Sequence, residues 1–137
     1  MLRRPETNDP NVHLATVLVV DDTAAARFLV ASTLRRLGFS TLVAGNGEMA
    51  LSTLLDRPPD AIVTDLEMPG MGGEQLVQAV RSHKNPHIRE LPIIVCSSKV
   101  DSATLETLAS LGVDAVVPKP VEVRLLVEQA LKLFRIA

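Results

Sequence analysis

The chain has 137 residues, 47% of them hydrophobic, and a formal net charge of −2. That is the length of one domain with one core, and the charge marks no direct nucleic-acid or membrane surface. No apolar run is long enough to cross a bilayer, and Met1-Leu2-Arg3-Arg4-Pro5-Glu6 lacks the apolar stretch of a signal peptide, so a cytoplasmic location without membrane insertion is expected.

Residues 1–13 are polar, with two prolines, and read as a flexible lead-in; residues 14–137 read as the folded domain. Five strand–helix units follow in order. The first strand covers Thr16 to Val20, and Asp22 or Thr23 caps a helix running to Leu37, where Gly38 stops it. Ala25, Phe28, Leu29 and Ser32 keep helical spacing along it. A second strand, Ser40 to Ala44, passes through Gly45-Asn46-Gly47 into a helix ending near Leu55, before Pro58-Pro59. The third strand ends at Asp65, and a loop from Glu67 to Gly72 leads to a helix with Leu76, Val77 and Val80 on one side. His83 to Leu91 reads as a polar connection broken by Pro86. The fourth strand follows Pro92, and a short helix spans Ser102 to Ser110. The fifth strand is Ala115 to Val117, and the last helix starts near Val121.

Val/Ile-rich runs alternating with helices predict an α/β fold with a parallel sheet buried on both faces. A flavodoxin-like, doubly wound (βα)5 sheet in the order 2-1-3-4-5 sets the first and third strands side by side where the order reverses. Ligands in such sheets sit beyond the carboxyl ends of the strands. Those ends deliver Asp21-Asp22, Asp65, Ser97-Ser98 and, after Pro118, Lys119. The second strand delivers no ionisable group, as suits an edge strand.

Three carboxylates at neighbouring strand ends repel: at about 4 Å and an effective dielectric near 20, each pair costs roughly 4 kcal/mol. Either one stays protonated or a cation sits among them. Mg²⁺ suits the set, since it takes oxygen ligands and keeps several waters. Surface acids near helix N-termini are the plainer explanation; they account for Asp22 but not for Asp65, which ends a buried run. With metal bound, Asp65 is a candidate nucleophile, because carboxylates form aspartyl phosphates. Mg²⁺, Lys119 and Ser97 would then each meet one phosphoryl oxygen. Lys119-Pro120 at a tight strand exit is a candidate cis bond. Cys96 lies in a strand run, closes no internal disulfide and reads as a core thiol. His83 and His87 are four apart, but Pro86 breaks the helix a zinc pair needs; they read, with His13, as solvated loop histidines.

Together these residues resemble the receiver domain of two-component response regulators, the family of the chemotaxis response regulator. The likeness covers about Thr16 to Phe134 and rests on Asp21-Asp22, Asp65 with Met68-Pro69-Gly70, Ser97 and Lys119-Pro120. It implies that Asp65 accepts a phosphoryl group from a histidine kinase or phosphotransfer protein. It also implies Mg²⁺ held by Asp22 and Asp65 directly, by Asp21 largely through water, and by the backbone carbonyl of Glu67. Such a domain is no turnover enzyme beyond its own phosphorylation and dephosphorylation.

The chain departs from the family at Val116, where an aromatic usually rotates inward on activation. Ser97 replaces the commoner Thr and keeps the hydroxyl; Ser98 is small enough to leave room for the phosphoryl group. Glu67 and Lys99 flank the path of the attacking water in the family, and their opposite charges suggest a pair across the mouth that slows hydrolysis. On the last helix, Val123, Leu126, Val127, Ala130, Leu131 and Phe134 form the expected core stripe. Val121, Leu125, Leu133 and Ile136 fall outside it and, with Val116 and the Ser102–Ser110 helix, offer an apolar face for a protein target or a second copy, the chain being a monomer or weak homodimer.

The expected output is protein binding by a stand-alone domain; a receiver fragment of a larger regulator or hybrid kinase is the other reading. Three rivals compete. A dehalogenase-like phosphatase would carry a second Asp where Glu67 stands. A flavin or nucleotide module would need a phosphate-cradling first loop where Asp21-Asp22 stand. A receiver-shaped interaction module that no longer takes phosphate is disfavoured by the intact acid–hydroxyl–lysine set.

Overall fold

In the computed structural model, residues 15–134 are described; the expected lead-in, with His13, and Ile136 lie outside them. Eleven elements succeed one another: β1 (Thr16–Val20), α1 (Ala24–Arg36), β2 (Ser40–Ala44), α2 (Gly47–Asp56), β3 (Ala61–Asp65), α3 (Gly73–Arg81), α4 (Pro86–Arg89), β4 (Ile93–Ser97), α5 (Ser102–Ser110), β5 (Ala115–Pro118) and α6 (Val123–Leu133). The strands form one parallel sheet in the order β2-β1-β3-β4-β5. This is the flavodoxin-like, doubly wound arrangement expected from the alternating pattern.

Strand alternation divides the core in two. Val17 and Val19, Ala61 and Val63, and Ile94 and Cys96 face one side, against Val30 and Leu34 of α1 and Leu126 and Ala130 of α6. Leu18 and Val20, Ile62, and Ile93 and Val95 face the other, against α2, α3, α4 and Leu108 of α5. Both faces are therefore dry, which is why the middles of these strands are apolar and their polar residues fall at the ends. Burial pushes the Cys96 thiol up to about 12, so it behaves as core and not as a reactive group.

Three local expectations are corrected. The polar connection from His83 to Leu91 contains a short helix, α4: the Asn85 side chain accepts from the His87 N–H, and Pro86 occupies the first turn, where it needs no donor. On α1, Phe28 is 69% exposed, and the buried face is Val30, Ala31, Thr33 and Leu34. Thr33 tolerates burial because its hydroxyl donates to the Leu29 carbonyl at 2.7 Å. On α6, Val123 and Leu131 are exposed, whereas Leu125 and Leu133, with Val121 just before the helix, pack against the core. The apolar residues of α6 span more than half its circumference, so two stripes share one period and only contact with the sheet selects between them. Leu125 and Leu133 are thus core-supporting and not a docking face, and Leu125→Glu would disturb packing as well as any partner.

The expected boundaries of the last helix shift by two residues, to a start at Val123 after Glu122. No helix among the described residues is long and apolar enough to cross a membrane.

Candidate phosphoacceptor and metal site

All the singled-out polar residues lie at the carboxyl ends of the strands. Asp65 is the last residue of β3 and is buried, as are Asp21, just beyond β1, and Ser97, the last residue of β4; Asp22 is exposed. Asp21 is fixed by its backbone N–H, which donates to the Ala44 carbonyl, and by its Oδ1, which accepts from the Thr23 N–H at 2.9 Å. Lys119 follows β5, and its backbone N–H donates to the Ser97 carbonyl at 2.8 Å. The Lys119-Pro120 bond is cis.

The Lys119 ammonium donates to Asp21 Oδ2 at 3.1 Å and lies 3.2 Å from Asp65 Oδ1. Burial alone would lower its pKa, but the hydrogen bonds and charges of the two carboxylates win and hold it above the ordinary lysine value. Burial also dominates at Asp65, aided by the nearby Asp21 charge; it raises the Asp65 carboxyl above its ordinary value in spite of Lys119. The buried acid is thus only partly compensated by protein.

Carboxylate oxygens of Asp21, Asp22 and Asp65 lie within 4.8 Å of one another, the one such cluster among the described residues. An all-oxygen donor set of this size, with a raised Asp65 carboxyl, fits a small hard divalent cation. The His83 ring accepts from the Asn85 N–H, and the His87 ring contacts the Pro59 carbonyl at 3.2 Å.

The structure gives Ser97 and Glu67 other partners than expected. Ser97 Oγ donates to the Lys99 carbonyl and accepts from the Lys99 N–H, both at 2.9 Å, so its hydroxyl is occupied in a tight local turn. Glu67 does not pair with Lys99 among the described ion pairs; its Oε1 accepts from the Ser98 hydroxyl at 3.0 Å instead. Val116 is half-buried against the second core cluster.

Residues outside the predicted set complete the rim. Arg27 donates from Nη1 to the Asp21 carbonyl at 2.8 Å, pinning the peptide that joins the two acids. Its signal was available in sequence, as a cation about one helical turn beyond the acid pair. Gly73 opens α3 directly beneath Asp65: a Cβ there would lie 2.5 Å from the Asp65 carbonyl oxygen and 2.8 Å from the Leu66 Cα. Both obstacles are backbone, so Gly73→Ala is expected to cost about 1–3 kcal/mol in denaturant unfolding. It should also impair phosphoryl labelling; unchanged stability and labelling would show that the loop yields freely.

Known proteins resemble the chain in sequence and in fold. The family model described as "Response regulator receiver domain" matches residues 17–131. A probable chemotaxis protein CheY of Rhizobium etli is 34% identical over 105 residues, covering 76% of this chain and 80% of that one. The sensor histidine kinase GacS of Pseudomonas protegens is 32% identical over 117 residues, 85% of this chain but 13% of its own length. The structure of the chemotaxis response regulator CheY4 of Vibrio cholerae superposes with a TM-score of 0.81 at 27% identity, covering 88% of this chain and 98% of that one. Since the family match runs through every strand that carries a site residue, the chain belongs to the response regulator receiver domains of two-component signalling.

Proposed function

We propose that the chain is a phosphoacceptor: Asp65 takes a phosphoryl group from the phosphohistidine of a histidine kinase or phosphotransfer protein in the cytoplasm. The observation that carries this reading is the Lys119 ammonium lying 3.2 Å from Asp65 Oδ1 while also bound to Asp21. It is a point charge already placed to meet an anion on that carboxylate. An Asp65 oxygen attacks phosphorus; the new O–P bond forms as the N–P bond breaks, and that electron pair stays on the donor imidazole. Asp22 and Asp65, with Asp21 through water and the Glu67 carbonyl, would hold Mg²⁺, which supplies charge neutralisation for the transferring group. Lys119 meets a second phosphoryl oxygen. Ser97 can donate to a third only by giving up its bond to the Lys99 carbonyl, so the loop from Ser98 onward is tied to the state of the site.

That loop leads into α5, which buries only Leu108 and exposes Leu105, with Val100 exposed just before it. A helix so lightly anchored can shift without an aromatic at position 116, and its apolar flank is our proposed contact for a protein target. Glu67, Ser98 and Lys99 line the mouth and set phosphoryl lifetime. The domain turns over no external substrate.

Incubation with acetyl phosphate and Mg²⁺ tests the whole reading. One base-labile phosphoryl group per chain, mapped to Asp65 by mass spectrometry, is expected, with no sustained hydrolysis of an aryl phosphate ester. Labelling elsewhere, or steady ester turnover, rejects it.

A further inference from the structure

We infer that Glu48, at the start of α2, is a positioning residue for the divalent-metal site, acting through the loop between β3 and α3. The inference rests on the metal reading above. The loop leaves the sheet at Leu66 and carries the Glu67 carbonyl. Its ends are fastened locally: the Gly73 N–H donates to the Leu66 carbonyl, and the Gly72 N–H donates to Gln75 Oε1. One side of the loop borders an open cavity of about 570 Å³ that it shares with Glu74 and Gln75 of α3, while Met68 anchors its first half in the second core cluster.

The other side meets α2. Glu48 Oε1 accepts from the Met71 N–H at 2.9 Å, a contact across 23 residues of sequence. Gly70, in the left-handed region at φ +74, brings its backbone so close that a Cβ would sit 3.2 Å from the same carboxylate oxygen. Gly47 packs on Met71 more tightly still, with a hypothetical Cβ 2.7 Å from the Met71 carbonyl oxygen. Glu48 is in the first turn of α2, where a carboxylate is favoured by the helix dipole. A helix anchored in the core by Ala50 and Leu54 therefore grips the second half of the loop, at Gly70 and Met71, beyond the buried Met68. Loss of the grip lets the Glu67 carbonyl wander, and each conformer that misses the metal lowers its affinity.

The test compares the parent, Glu48→Ala and Glu48→Gln by Mg²⁺ titration followed in amide chemical shifts, with hydrogen exchange at the Met71 amide. Glu48→Ala should weaken Mg²⁺ binding about fivefold, the scale of one lost hydrogen bond, and speed Met71 exchange. Glu48→Gln keeps the acceptor and drops the charge; it should stay near the parent in both. Unchanged affinity in Glu48→Ala overturns the inference and leaves the metal reading intact. So does Glu48→Gln falling as far as Glu48→Ala, which would reduce the residue to a distant charge. A parent that binds no Mg²⁺ at millimolar concentration overturns both.

Discussion

Asp65→Asn is expected to abolish phosphoryl uptake and, in metal-free buffer at neutral pH, to raise the melting temperature by a few degrees. The first effect follows from chemistry: an amide oxygen is too poor a nucleophile to displace the donor. The second follows from the environment. Burial raises the Asp65 carboxyl above its ordinary value despite the Lys119 ammonium. Its protonated form is therefore favoured in the folded state relative to the unfolded chain. Stability from this group is greatest in acid and falls as pH rises from the ordinary carboxylate value through the raised folded one. Asn carries no such loss, so the difference in melting temperature between variant and parent should open up across that window and then level off. Adding Mg²⁺ should lift the parent by mass action and narrow the gap. A metal-free variant that melts below the parent at neutral pH would contradict the electrostatic account; one that still accepts label would remove Asp65 from its role. A functional acid that costs stability when ionised is the trade expected at a working site.

Lys119→Ala should slow labelling by acetyl phosphate about 10²-fold or more, the usual loss when one donor to a transferring oxyanion is deleted. Mg²⁺ affinity should move the opposite way and rise several-fold. The ammonium lies 3.1 Å from Asp21 Oδ2 and 3.2 Å from Asp65 Oδ1, so it competes with a divalent cation for the same charges. Lys119→Arg should not restore the rate, since a planar fork cannot take the place of a compact point charge between two carboxylates. Labelling within about tenfold of the parent, or weaker metal binding, would show that Lys119 serves packing and not the anion.

The residues of the candidate site were legible because their placement depends on strand ends. Val17–Val20, Ala61–Thr64 and Ile93–Cys96 are apolar runs buried on both sides, and the first polar residues after or at their ends must emerge at one edge. That reasoning delivered Asp21, Asp65, Ser97 and Lys119 together. It did not deliver the direction of individual side chains. Glu67 meets Ser98 and not Lys99, because the two loops approach in an order that no spacing along the chain records. Ser97 faces its own loop, a choice between two hydrogen-bonding partners of similar strength.

Helix faces divide the same way. Leu76, Val77 and Val80 of α3 were found from period alone, because its other faces are polar. Period alone does not settle Phe28 on α1 or the flanks of α6, because apolar residues there outnumber the positions the sheet can cover. By itself, the amino-acid order determined the alternation of strands and helices, the strand ends and hence the candidate site residues: backbone geometry makes these properties of near neighbours. Contacts such as Lys119 with Asp21, 98 residues apart, and Glu48 with Met71 have a different origin. Rigid elements must first be stacked before two such side chains share a place, so the tertiary structure alone decided how the reactive residues are gripped.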